Sequence, residues 1–142
     1  MRKRTTGVAA VVGGLVLAAG ALSATSTAAT AAESTDRIGV QSCYGSAKSY
    51  TKPAGQHYYP SGYPGGTWLT ATTNCNDINI RPNSDRYVKV CFNPSSGSPY
   101  CQSSNTWAPS GKWTVVATNV RSGTKFKFRF WSDGRATGSW AG

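Results

Sequence analysis

From Lys125 to Trp131 the chain alternates cationic and apolar residues with a period of two. A strand of that pattern places Phe126, Phe128 and Phe130 on one side and Lys125, Lys127 and Arg129 on the other. The same alternation runs through 86–92, where Val88, Val90 and Phe92 share one side and Tyr87 and Lys89 the other. In 112–118 it groups Trp113, Val115 and Ala117. Further strands are expected over 47–51, 67–73, 77–81 and a short 136–140. Clusters of Pro, Gly, Asn and Ser separate these segments, at 60–66, 81–84, 94–97, 109–111, 121–123 and 132–134. The Asp133-Gly134 pair between two strand segments predicts a closing hairpin. No helical period is visible beyond residue 43. The pattern therefore specifies an all-β chain: a single small antiparallel β-sandwich, or small barrel, of six to seven strands. Its expected core is Leu69, Ile78, Ile80, Val88, Val90, Phe92, Trp113, Val115, Phe126, Phe128 and Phe130.

The N-terminal segment follows a different logic. Arg2, Lys3 and Arg4 precede an apolar, glycine- and alanine-rich stretch, 8–21, and then the small residues Ala29, Thr30 and Ala31. That order is a signal peptide, cleaved near Ala31 or Ala32. The apolar stretch falls short of the ~20 residues that cross a bilayer, and Gly13, Gly14 and Gly20 interrupt it, which argues against an anchor. The chain thus divides into a signal peptide (1–32), a patternless polar arm (33–42) and a β-domain (43–142), with secretion as the destination. Cleavage after Ala32 leaves 142 − 32 = 110 residues. That is enough for one domain, with no membrane span expected in the mature chain and a monomer as the expected state.

All four cysteines, Cys43, Cys75, Cys91 and Cys101, lie in the β-domain. An even count in an exported chain argues for two disulfides, with three possible connectivities. Cys43–Cys75 and Cys91–Cys101 are favoured, because the turn-rich 92–100 segment brings two strand ends together. Each bridge would stabilise by roughly 3 to 4 kcal/mol on the loop-entropy model. Zinc is not expected: there is no paired-cysteine spacing, and the single histidine, His57, has no Cys or His neighbour. No other cofactor is indicated.

Charge narrows the function classes. The mature chain keeps 12 basic against five acidic residues, a net 12 − 5 = +7. Such a surplus suits anionic surroundings: cell-wall polymers, acidic polysaccharide, an acidic secreted protein or, least expected, nucleic acid. Acid–base catalysis is poorly supplied. Glu33 and Asp36 fall in the arm, leaving Asp77, Asp85 and Asp133, of which only Asp77 and Asp85 have a prospect of meeting, across the 81–84 turn. His57 lacks an identifiable orienting carboxylate, and no nucleophile, phosphate-loop or metalloprotease motif is present. A small hydrolase is therefore the least favoured reading.

Two binding candidates remain. The first is the basic strand face: Lys125, Lys127 and Arg129, continued by Trp131 and joined by Lys89 and Tyr87 from a neighbouring strand. Cations beside aromatic rings suit anionic polymers. The plainer account is an exposed edge whose lysines discourage sheet-to-sheet pairing. The second is the Tyr-rich loop, Tyr58, Tyr59 and Tyr63 with Trp68 at its end, whose rings suit sugar faces or protein partners. Its plainer account is that these rings close the end of the core.

The stretches 75–82 (Cys-Asn-Asp-Ile-Asn-Ile-Arg-Pro), 86–92 (Arg-Tyr-Val-Lys-Val-Cys-Phe) and 111–118 resemble small secreted proteins of actinomycete bacteria with no assigned activity. The resemblance runs from Cys43 to about Trp131 and implies export and a disulfide-bonded β-fold, with no catalytic residues. In format the chain is also similar to secreted β-sandwich adaptors of actinomycete toxin particles, where an N-terminal arm docks a partner. Two expectations follow. The first is a non-enzymatic binder of an anionic extracellular or cell-wall polymer. The alternative is a proteinaceous inhibitor or an adaptor in a secreted toxin complex.

Overall fold

The computed structural model describes residues 42–142. The expected signal peptide (1–32) and residues 33–41 of the expected arm lie outside the described residues. Ten strands follow one another: β1 Lys48–Lys52, β2 Tyr58–Tyr59, β3 Leu69–Thr70, β4 Ile78–Pro82, β5 Arg86–Asn93, β6 Tyr100–Cys101, β7 Thr106–Ala108, β8 Thr114–Ala117, β9 Lys125–Phe130 and β10 Ala136–Ala141. All pairings are antiparallel. One sheet has the order β1-β10-β4-β8; the other has β2-β9-β5-β6, with β3 also on β9 and β7 also on β5. The two sheets do not close into a barrel.

All seven expected strands are present, several of them shorter than expected. The count rises to ten because β2, β6 and β7 are two or three residues long, too short to show an alternation. One helical turn, 42–45, precedes β1.

The core lies between the sheets, where the alternation put it. Phe126, Phe128, Phe130, Val88 and Val90 from one sheet meet Ile78, Ile80, Tyr50, Val116 and Trp140 from the other, all buried. The Phe126 ring stands edge-on to Phe128 at 5.6 Å and to Trp140 at 5.5 Å, the arrangement that the ring quadrupole favours. Leu69 and Phe92 pack partly buried against this cluster. Burial also holds the Tyr50 phenol well above its ordinary pKa, with Arg86 pulling weakly the other way.

Two core assignments need correction. Between Ile78 and Asn79 the β4–β8 register shifts, the partners passing from Ala117 to Val115. Such a bulge inserts one extra residue and turns two successive side chains to one side. Val116 and Ala117 are therefore buried and Val115 is exposed. Trp113 lies outside the central core, in a second cluster with Cys43, Cys75, Tyr44 and Ala141.

The expected β9–β10 hairpin is also absent: β9 belongs to one sheet and β10 to the other. The Asp133-Gly134 turn instead carries the chain between layers. The fully buried Lys52 sits against it, and its Nζ donates to the carbonyls of Asp133 (3.1 Å), Gly134 (2.5 Å), Gln56 (2.6 Å) and Pro53 (3.3 Å).

Both expected disulfides form. Cys43–Cys75 joins the helical turn to the segment before β4, and Cys91–Cys101 bridges facing residues of β5 and β6. Two disulfides are compatible with an extracellular location.

Candidate functional site

The outer face of the six-stranded sheet gathers most of the expected binding residues. β9 lies between β2 and β5, so it is a central strand and not the exposed edge expected from its lysines. Its register with β5 pairs Lys89 with Arg129, Cys91 with Lys127 and Asn93 with Lys125. One step further along the same register, the Trp131 N–H donates to the Tyr87 carbonyl at 2.9 Å. Tyr87 in turn faces Trp107 of β7, the ring centroids 4.8 Å apart.

These pairings create two adjacent rows across the face. One row is Trp131, Tyr87 and Trp107, exposed by 70%, 52% and 47%. The other is Tyr58, Arg129 and Lys89, with the Arg129 guanidinium 6.0 Å from the Tyr58 ring. Lys89 and Arg129 are like charges placed directly opposite each other, an arrangement that disfavours the pairing. The outward residues of β5 and β9 include no carboxylate to relieve it. The Arg129 Nε is buried without a hydrogen-bond partner.

Lys127 corrects the expected basic face. It points outward as the alternation requires, yet it is fully buried. The Tyr-rich segment crosses the sheet above it like a strap. The Lys127 Nζ donates to the carbonyls of Ser61 (3.0 Å), Gly62 and Gly65 (2.8 Å), and lies 4.8 Å from the Trp68 ring. A neutral amine has two hydrogens to donate, so three carbonyl acceptors call for an ammonium. Burial pushes the pKa of Lys127 down from the ordinary lysine value. It does the same for Lys52, where Arg86 adds to the effect and Asp133 opposes it.

The strap is anchored beyond Lys127 as well. The Tyr63 hydroxyl donates to the Pro99 carbonyl at 3.1 Å, on the far side of β5. Tyr63 stacks on Tyr58 at 4.9 Å and 3°, and its edge meets Trp68 at 6.1 Å. The four loop rings thus divide. Tyr58, Tyr63 and Trp68 form a ladder beside the open rows, whereas Tyr59 turns inward against Tyr50 at 5.4 Å. Gly66 has φ +75, and a Cβ there would sit 2.7 Å from the Ser61 carbonyl oxygen, so the strap requires glycine at this position. Lys125, at the other end of β9, is exposed and donates to Thr70 Oγ1 at 2.6 Å.

Among the described residues the carboxylates do not gather. Asp77 and Asp85 lie beyond opposite ends of β4, Asp77 accepting from the Asn119 N–H (3.0 Å) and Asp85 from the Ser110 N–H (2.8 Å). His57 donates from Nδ1 to the Phe130 carbonyl at 3.1 Å, since a carbonyl only accepts, and its own carbonyl accepts the Phe130 N–H at 2.7 Å. It fastens β2 to β9. Among the described residues, no three His, Cys, Asp or Glu side chains form a group that would hold a metal ion. No helix among them is long and apolar enough to cross a membrane.

Sequence reasoning missed Trp107. Its strand is three residues long, and only the register with Tyr87 reveals the ring's place in the row. Comparison with protein-family models, curated proteins and solved structures finds no match for this chain.

Proposed function

We propose that the protein is a secreted, non-enzymatic binder of an anionic polysaccharide or cell-wall polymer, which it takes on the open half of the six-stranded sheet. The observation that carries this reading is the unrelieved Lys89–Arg129 pair beside three exposed aromatic side chains. An anionic group over the pair supplies the countercharge that the sheet lacks. The rings of Trp131, Tyr87 and Trp107 offer rigid apolar area to the sugar rings. Lys127 has no direct role, because its ammonium is spent on the strap.

Charge and ring contributions are separable. Changing Lys89 and Arg129 to Ser should weaken binding to a heparin-like polysaccharide and flatten its dependence on salt. Binding by the parent protein should fall as added salt shortens the Debye length below about 10 Å. Trp107→Ala should weaken binding by about tenfold or more while leaving the salt slope unchanged, a stacked ring being worth about 1–3 kcal/mol. Affinity that is indifferent to salt and to all three substitutions would contradict the assignment.

A second reading, a proteinaceous inhibitor or adaptor, draws on the strap. Ser61, Gly62 and residues 64–67 are exposed on a segment already fixed from beneath, which lowers the entropy lost on docking a protein. Retention of a secreted protein by the parent, and its loss when residues 64–67 are replaced, would favour this reading over the polymer.

A further inference from the structure

An open cleft of about 840 Å³ lies where the β5–β6 hairpin approaches the β8–β9 loop, lined by Phe92, Asn93, Tyr100, Asn119, Arg121 and Lys125 among others. It is beyond the strap from the open aromatic row, and its size is that of a small-molecule site. The wall is aromatic: Tyr100 is 56% exposed, with its ring 5.6 Å from Phe92. Arg121 is exposed and brings a cation to it; Lys125 also lines it but holds its Nζ on Thr70 Oγ1, and the lining contains no carboxylate. The remaining lining is hydroxyl and amide, from Ser95, Thr118 and Ser122 among others.

The loop that carries Arg121 is held in place before any ligand arrives. The Val120 N–H donates to the Asn76 carbonyl at 2.7 Å, and the Gly123 N–H to the Ala71 carbonyl at 2.8 Å. Asn119, in the left-handed region at φ 54, donates its N–H to Asp77. The side chain of Val120 packs against the core. A loop pinned on both sides presents its one cation with little ordering left to lose.

We infer that this cleft is a separate binding site for a small acidic sugar, its ring against Tyr100 and its acid group on Arg121. A cation without a countercharge selects an anion, the exposed ring selects a flat partner with apolar faces, and the amide and hydroxyl lining suits sugar hydroxyls. The site goes beyond the sheet-face reading and stands or falls separately from it.

Titration of the isotope-labelled protein with glucuronic acid, with glucose 6-phosphate and with glucose, followed by amide NMR shifts, tests the inference. One or both acids should give saturable shifts at residues 119–123 and at Tyr100. A response to one acid alone identifies carboxylate or phosphate as the group held. Glucose should give none. Tyr100→Ala and Arg121→Ser, both at exposed positions, should each weaken the response about tenfold or more, as expected for loss of a stacking ring or a charge-assisted hydrogen bond. Trp107→Ala should leave it unchanged. No saturable shift with either acid, equal binding of glucose, or loss of the response in Trp107→Ala would overturn the inference.

Discussion

Replacing Lys52 by Met should lower the stability of the whole sandwich, whereas replacing Lys127 by Met should release only the strap. Lys52 donates to carbonyls from two distant segments, 53–56 and 133–134, and so ties the β1–β2 connection to the turn that changes sheets. Its ammonium also lies 5.5 Å from the Phe130 ring. Methionine fills much of the same space but donates nothing. Hydrogen bonds to a charged group contribute about 1.5–3 kcal/mol each, against which the relieved desolvation of the amine is set. A net loss of about 3 kcal/mol is expected, because carbonyls left without a donor cost about 1–3 kcal/mol each where water cannot replace it. At roughly 4–8 °C per kcal/mol for a domain of this size, the melting temperature should fall by more than about 10 °C. Lys127 differs because Ser61, Gly62 and Gly65 all belong to one exposed loop, so loss of the ammonium frees a single segment whose carbonyls turn to water. Lys127→Met should therefore melt close to the parent while hydrogen exchange and proteolysis accelerate within 60–68. A Lys52→Met protein that melts with the parent would contradict this division of labour.

Gly138→Ala should be at least as damaging as the loss of Lys52. Gly138 lies in β10, between β1 and β4, opposite Tyr50 and Pro82. A Cβ there would stand 2.3 Å from the Arg81 carbonyl oxygen, 2.8 Å from the Pro82 Cα and 2.9 Å from the Tyr50 ring. Two of these neighbours are backbone, so relief requires β10 to move away from β4. Overpacking costs typically about 1–3 kcal/mol when side chains are able to adjust, and more when the backbone must. The residue's φ of +157 adds strain for any L side chain. Urea denaturation should show a midpoint far below the parent's, or no folded baseline. A midpoint within error of the parent would mean that β10 does not approach β4 this closely.

The sequence discloses which way a side chain points more readily than what covers it. Period-two patterning placed Phe126, Phe128, Phe130, Val88 and Val90 in the core because each belongs to a strand long enough to alternate. It placed Lys127 outward, also correctly, but could not foresee a strap from residues 60–68 folding over it. That contact spans more than 60 residues and leaves no local signature. The bulge between β4 and β8 exchanged Val115 for Val116 by the same kind of remote cause, the register of a partner strand. Asp133-Gly134 was legible as a turn but not as a change of sheet, because a turn dipeptide fixes local backbone and not the layer that the next strand joins. Of the candidate face, Tyr87, Lys89, Arg129 and Trp131 were legible as one basic and aromatic surface. Trp107 of that face and Tyr100 of the separate cleft were not, since β7 and β6 owe their existence to β5 and carry no pattern of their own. Both disulfides were legible, one from the turn-rich 92–100 segment and the other as the remaining pair.

Amide and indole shift mapping with a heparin-like oligosaccharide tests the sheet-face account most directly. The account predicts salt-sensitive, saturable shifts at residues 87–89, 106–108 and 129–131, together with the indole N–H signals of Trp107 and Trp131. The four-stranded sheet, including Arg81 and Trp113, should stay silent. Shifts confined to that opposite sheet, shifts at 119–123 alone, or no saturable shift at low salt would contradict it.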